Sequence, residues 1–254
     1  MSQSLLRTPR LSPEKASGFP FLIAALNELD ICAADIGNAY INAQCREKVH
    51  VTVGPELFGE ENAGKTAIIV RALYGLKSAG ASWRDHLSQV IQDELHFKPT
   101  RADQDVHIRP KINNGEKYYA YLIVYVDNIL SIDVNPKDLI DELGATFRIK
   151  KESIGFPIMY LGTNVKKWTV SNELGEDVNC YATGSYAYVK EAIRGVKERM
   201  KEHDLVFPKS KSRTPFTNSN YRPEIDTSEL CDERLIPVYQ NMIGIFRWLC
   251  ELGR

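Results

Sequence analysis

The chain has 254 residues, of which 43% are hydrophobic and 26% charged. That balance fits a buried core in one large domain or two small ones, and excludes a disordered charged tail, a collagen-like fibre and a disulfide mini-protein. Net charge is −1, from 32 Lys+Arg against 33 Asp+Glu, so overall charge names no partner, and a nucleic-acid binder would need its basic residues gathered on one face.

No run approaches the roughly 18 apolar residues of a membrane span, so no membrane is expected as partner. Residues 1–18 lack the apolar core of a secretion signal. The five cysteines are odd in number and scattered, with no C-x-x-C pair. They read as reduced thiols of a cytosolic or nuclear protein.

In chain order, residues 1–20 carry three prolines and read as a loose leader. Apolar residues then run on, helical at first, with a strand expected around Leu29–Ala34 leading to Asp35. Val49–Val53 alternates and reads as a strand, and Thr66–Val70 as a second one. Trp83, Leu87, Val90, Ile91 and Leu95 recur at helical spacing. From Tyr118 to Val134 two β-rich apolar runs flank Asp127 and Asn128, the pattern of a tight hairpin turning on those two residues and lying centrally in a sheet. A helix is predicted over Pro136–Phe147 with Asn135 as its cap. Ile158–Val170 reads as a strand. Tyr186, Val189, Ile193, Val196 and Met200 mark an amphipathic helix, and residues 205–228 read as loop. A last helix from about Pro237 is expected to bury Tyr239, Ile243, Phe246 and Cys250 and to stop at Gly253. The sum is a mixed α+β order whose second half turns helical.

Two constellations compete for chemistry. Gly59-Glu-Glu-Asn-Ala-Gly64-Lys65-Thr66 fits G-x-x-x-x-G-K-[ST], the phosphate-loop pattern, and makes a P-loop NTPase a hypothesis. Such a loop should open a helix whose N-terminus faces the phosphates. Here a β-branched run follows instead, and two glutamates inside the loop would repel an anion, so a hairpin turn is favoured. The second constellation joins Asp35 to the Asp127 turn. Nucleotidyl transfer uses two divalent cations about 3.5–4 Å apart on a rigid carboxylate platform, which a hairpin aspartate beside a strand-end aspartate would supply. An aspartate in a turn is by itself more often only a turn residue.

The words around these residues are more specific. Asp35-Ile-Gly-Asn-Ala-Tyr40-Ile, Arg71-Ala-Leu-Tyr-Gly-Leu-Lys-Ser-Ala-Gly-Ala-Ser-Trp83 and Tyr125-Val-Asp-Asn128 occur in that order. Together they resemble the reverse transcriptase of copia-type LTR retrotransposons, with its D-x-x-x-A-F/Y-L/I, L-Y-G-L-K-x-A/S-x-x-x-W and Y-V-D-D motifs. The resemblance continues through Tyr160-Leu-Gly-Thr, Thr214-Pro215 and the segment Tyr239 to Leu249, covering residues 20–254.

The resemblance implies a right-hand polymerase: palm with partial fingers over residues 21–170, then a helical thumb or connection region over 171–254. It implies RNA- and DNA-directed DNA synthesis on a template-primer with dNTPs and two Mg²⁺ ions, or Mn²⁺, in the cytoplasm within a retrotransposon particle or in the nucleus. Asp35 and Asp127 match the metal-binding aspartates, with Asn128 in the catalytic hairpin. Tyr40 matches an aromatic gate against ribonucleotides, the alternative being a core tyrosine. Lys77 lies in the segment beside the incoming nucleotide, where it touches phosphate or is simply solvated. Trp83 is expected in the core. Lys197, Arg199, Lys201, Lys209, Lys211 and Arg213 are candidates for template-primer phosphate, each alternatively a solvated surface residue.

Two departures follow. Asn128 stands where the family has a second hairpin aspartate, and a neutral amide offers a hard cation a single carbonyl oxygen. Activity is therefore expected to be weak or absent, and a non-catalytic nucleic-acid-binding remnant is the alternative. The basic fingers segment before the first motif is missing or replaced by residues 1–20, and the chain stops before a ribonuclease H domain, as expected of a fragment of a longer polyprotein or of the decayed remnant of one.

Overall fold

The computed structural model describes residues 13–206, 229 and 232–252. Helix α1 (Pro13–Leu26) leads into β1 (Asp30–Asp35), then β2 (His50–Thr52), the single-turn α2 (Pro55–Phe58), β3 (Thr66–Ile68) and α3 (Ala79–Asp93). There follow β4 (Lys98–Pro99), β5 (Val106–Asn113), β6 (Glu116–Tyr125), β7 (Asn128–Asp133) and α4 (Pro136–Gly144). The rest comprises β8 (Met159–Tyr160), β9 (Thr163–Ser171), β10 (Asp177–Gly184), α5 (Tyr186–Glu202) and α6 (Ile236–Leu252). The fold is mixed α and β with antiparallel sheets.

The main sheet has the order β1-β7-β6-β5-β4, with antiparallel neighbours throughout. The β6–β7 hairpin is central, as its two-sided apolar pattern predicts. From Ile129 to Asp133 every residue of β7 is 0% exposed. One face is covered by α3 and α4: Trp83, Leu87, Ile91, Leu139, Ile140, Leu143 and Phe147 join Cys32, Ala34, Leu122 and Ile129 in a single cluster. Trp83 and Phe147 meet edge to face, with ring centroids 5.3 Å apart. Helix α1 packs against β1 and β7.

The chain divides into two units. The first runs to Ile158 and adds Val165–Ala182; the second comprises Met159–Asn164 and the chain from Thr183 onward. In the second, α5 and α6 pack together, with Arg199 donating to Asn241 Oδ1.

Four expectations are corrected. Residues 13–20, placed in a loose leader, belong to α1, because Phe21 and Ala24 on the same helix are buried and anchor it. The hairpin turns on Val126 and Asp127, one residue earlier than read. Asn128 is held in the ladder on both sides, opposite Tyr125 and opposite Asp35, so Val126 takes the left-handed conformation instead, at φ 59°. Residues 177–184, read as part of a helical region, form β10, the return strand of a hairpin whose turn is tied by Asn172 Oδ1 accepting from the Leu174 and Glu176 amides. In α6, Tyr239, Ile243 and Phe246 are 63%, 48% and 49% exposed and Cys250 is exposed. The half-buried stripe is Val238, Met242, Ile245 and Leu249; apolar side chains occupy most of this helix's circumference, so periodicity does not fix which face turns inward.

Candidate active site

Asp35 is the last residue of β1 and pairs directly with Asn128, the first residue of β7. Directly opposed residues of an antiparallel pair point to the same face with Cβ atoms about 5 Å apart. The turn residue Asp127 is tied to the same place, since its carbonyl accepts the Ile36 amide at 2.9 Å. The end of the sheet thus carries two carboxylates and an amide.

The turn is held in an unfavourable shape. A β-branched residue with positive φ is a steric outlier, and Val126 is one. Its carbonyl accepts a hydrogen bond from the indole Nε1 of Trp83 at 2.7 Å, and Trp83 is 1% exposed. The expected core tryptophan therefore also pins the aspartate-bearing turn.

Asp35 is held from the other side by the chain after α4. Its backbone N–H donates to Ser153 Oγ at 2.8 Å and its carbonyl accepts the Lys150 amide at 2.9 Å. Ser153 Oγ in turn donates to the Lys150 carbonyl at 2.6 Å. Gly37 completes the seam through its amide to the Arg148 carbonyl at 2.8 Å, and a Cβ on Gly37 would stand 3.3 Å from that oxygen. The Lys150 Nζ lies 3.0 Å from Asp35 Oδ2. That bond holds the ammonium above the usual lysine pKa, and the charge of Asp127 adds to it. Lys150 and Ser153 escaped the sequence reading; the signal available was the Lys150-Lys151 pair closely following a predicted helix.

The remaining lone pairs fit a hard cation. Asp35 Oδ1 is buried without a hydrogen-bond partner, and Asp127 Oδ1 accepts from the Asn128 side-chain amide at a long 3.3 Å. Among the described residues no group of three or more His, Cys, Asp or Glu could hold a metal ion. A cation here would therefore rest on Asp35, Asp127, the Asn128 carbonyl and the oxygens of a bound ligand.

Tyr40 lies on a 3-10 turn (Ala39–Asn42) directly after β1 and is half-buried against the core. Its ring meets that of Tyr74, centroids 4.4 Å apart. Burial pushes the Tyr74 phenol pKa up, and the charge of Asp127 adds to it, followed by Tyr40 and then Asp35. Tyr74, largely exposed itself, is placed by its ring contact with Tyr40, a contact the sequence reading missed although the residue stands in the quoted motif. Lys77 is exposed two residues before α3, next to Ser78, whose amide and hydroxyl donate to Glu47 Oε1 at 2.7 and 2.6 Å.

Lys197 and Lys201 are exposed on α5 in the second unit. Lys209, Lys211, Arg213 and the Thr214-Pro215 pair lie outside the described residues. The Gly59–Thr66 stretch passes through a 3-10 turn (Glu60–Asn62) and enters β3 at Thr66, while Lys65 Nζ donates to Asn62 Oδ1 at 2.8 Å. A strand, not a helix N-terminus, follows the lysine. No helix among the described residues is long and apolar enough to cross a membrane.

The antiparallel sheet thus ends in Asp35 opposite the neutral Asn128, with Asp127 in the adjoining turn and the Tyr40–Tyr74 ring pair after β1. Residues 20–197 match the family model described as reverse transcriptase (RNA-dependent DNA polymerase), and the chain belongs to that family. It is 26% identical over 220 residues to a putative transposon Ty5-1 protein of Saccharomyces cerevisiae, covering 87% of this chain and 64% of that one. It is also 26% identical over 119 residues to a retrovirus-related Pol polyprotein from transposon RE1 of Arabidopsis thaliana, covering 46% of this chain and 8% of the polyprotein. The chain thus spans less than two-thirds of the length of either relative.

Proposed function

We propose that the chain is the template-directed DNA polymerase module of a copia-type retrotransposon, working on RNA and DNA templates. The observation that carries this reading is the direct pairing of Asp35 with Asn128, beside Asp127 in the adjoining turn. The sheet with α3 and α4 is then the palm, β2–β3 a remnant of the fingers, and the segment after residue 182 the thumb or connection.

In this reading Asp35 and Asp127 hold two Mg²⁺ or Mn²⁺ ions, with the Asn128 carbonyl as a weak neutral ligand. When bound, such ions activate a 3′-hydroxyl and neutralise the triphosphate and its leaving group. Tyr40, fixed by Tyr74 and the core, bars a 2′-hydroxyl and selects dNTPs. Lys77 meets the nucleotide phosphates, while Lys197, Lys201, Lys209, Lys211 and Arg213 meet the template-primer. Such contacts weaken steeply with salt.

The neutral Asn128 supports a second reading, a scaffold that binds template-primer without turnover. Primer extension with Mg²⁺ and dNTPs separates the two. Extension by the native chain, abolished in Asp127→Ala, establishes the polymerase. Extension only in Asn128→Asp establishes an intact scaffold silenced at one ligand. Salt-sensitive template-primer binding with no extension in any variant establishes the binding module.

A further inference from the structure

The site contains a cation of its own. Lys150 is exposed, but its backbone is anchored at Asp35: its amide donates to the Asp35 carbonyl at 2.9 Å and its carbonyl accepts from Ser153 Oγ at 2.6 Å, the same hydroxyl that receives the Asp35 amide at 2.8 Å. Three hydrogen bonds thus fix the origin of the side chain against the aspartate. At its far end the ammonium sits 3.0 Å from Asp35 Oδ2. The side chain is 44% exposed, so its stem can swing outward without breaking the core.

The local charge count gives this pair its weight. Asp35 and Asp127 contribute two negative charges, Asn128 contributes none, and the Lys150 ammonium cancels one of the two. A divalent ion approaching Asp35 meets a like charge already seated on one of its oxygens.

We propose that Lys150 is a tethered counterion that occupies one of the two cation positions of this site and competes with the divalent ion at Asp35. The inference rests on the reading of Asp35 and Asp127 as metal ligands. It goes beyond that reading in assigning the loss of metal affinity to two residues, Asn128 and Lys150, instead of to the amide alone. The lysine keeps the carboxylate paired while the site is empty, and it must leave Asp35 Oδ2 before an ion takes that oxygen. Discounted for exposure and ionic screening, a competing unit charge within about 4 Å of a divalent ion weakens binding by about tenfold.

The test is Mn²⁺ binding to the whole chain, read by the loss of the free-ion electron paramagnetic resonance signal, with no substrate present. The series is native, Lys150→Met, Lys150→Gln, Lys150→Arg, Asn128→Asp and Asp127→Ala, each checked by circular dichroism. The glutamine variant keeps the test open should methionine disturb folding. The expected result is a Kd about tenfold lower in Lys150→Met and Lys150→Gln, with Lys150→Arg unchanged because it retains the charge. If Lys150→Met and Lys150→Gln bind as the native chain does while Asp127→Ala binds nothing, the counterion idea is overturned and the metal site stands. Equal tightening in Lys150→Arg also overturns it, since charge would not be the cause. If neither native, Lys150→Met nor Asn128→Asp binds Mn²⁺, the inference and the metal-site reading fail together.

Discussion

Replacing Trp83 by Phe isolates one hydrogen bond that joins the core to the aspartate-bearing turn. The phenyl ring keeps the aromatic contact with Phe147 but cannot donate to the Val126 carbonyl, now bonded at 2.7 Å. Losing that bond costs about 1–2 kcal/mol, because the carbonyl is only partly open to water. Trp83 is 1% exposed, so the smaller ring also leaves a cavity worth about 1 kcal/mol. The expected loss is about 2–3 kcal/mol, a Tm lower by about 5–10 °C for a chain of this size. Urea denaturation followed by far-ultraviolet circular dichroism measures it. The strain at Val126 supplies an internal control: glycine accepts φ 59° freely, so Val126→Gly should return about 1 kcal/mol in either background. A Trp83→Phe chain as stable as the native one, or a Val126→Gly chain less stable by 1 kcal/mol or more, would refute the picture of a strained turn clamped by the indole.

Other consequences are as direct. His107 is 2% exposed, and burial pushes its pKa down from 6.5 to about 4, with Asp105 opposing the shift. The unfolded chain binds the proton first, so stability is complete above pH 6.5 and falls by up to about 3 kcal/mol as pH drops to about 4. His107→Leu should flatten that part of a denaturation-against-pH profile. Asp133 is 0% exposed and accepts from Lys111 at 2.6 Å, Tyr118 at 2.6 Å and the Val134 amide at 2.7 Å. Lys111→Met strands a buried carboxylate and should cost about 3 kcal/mol by chemical denaturation. Tyr118→Phe removes one of the three bonds and should cost about 1–2 kcal/mol in the same assay. Burial and the Asp133 carboxylate push the Tyr118 phenol up to about 12, so the tyrosine absorbance titration below pH 11 should be unchanged by that substitution.

Local pattern carried the reading where one face of an element was apolar and the other polar. The 3-4-3-4 spacing from Tyr186 to Met200 became α5 (Tyr186–Glu202), and the two apolar runs around Asp127 became the central hairpin. It failed where the deciding partner lies far along the chain. Asp127-Asn128 is as good a turn pair as any, and only the pairing of Asn128 with Asp35 and the reach of Trp83 to Val126 move the turn by one residue. The β5–β6 turn was within reach: Asn114-Gly115 is a strong hairpin signal, and both residues take positive φ. Lys150 was out of reach, since no local rule says that the segment after α4, with its 3-10 turn Lys151–Ser153, returns to β1.

That return path bears on how the protein acquires its site during synthesis. Ser153 stands 118 residues beyond the aspartate whose amide it holds, and Lys150 stands 115 beyond. Closing so long a loop is slow, and contacts of this separation form late compared with a helix or a hairpin. A growing chain can build α1 and α3 early, yet β1 must wait for its ladder partner β7, and the Asp35 amide stays unbraced until the ribosome has delivered the segment past residue 153. Pulse-labelled chains arrested before that point should carry an exchange-labile Asp35 amide, and those arrested well past it a protected one.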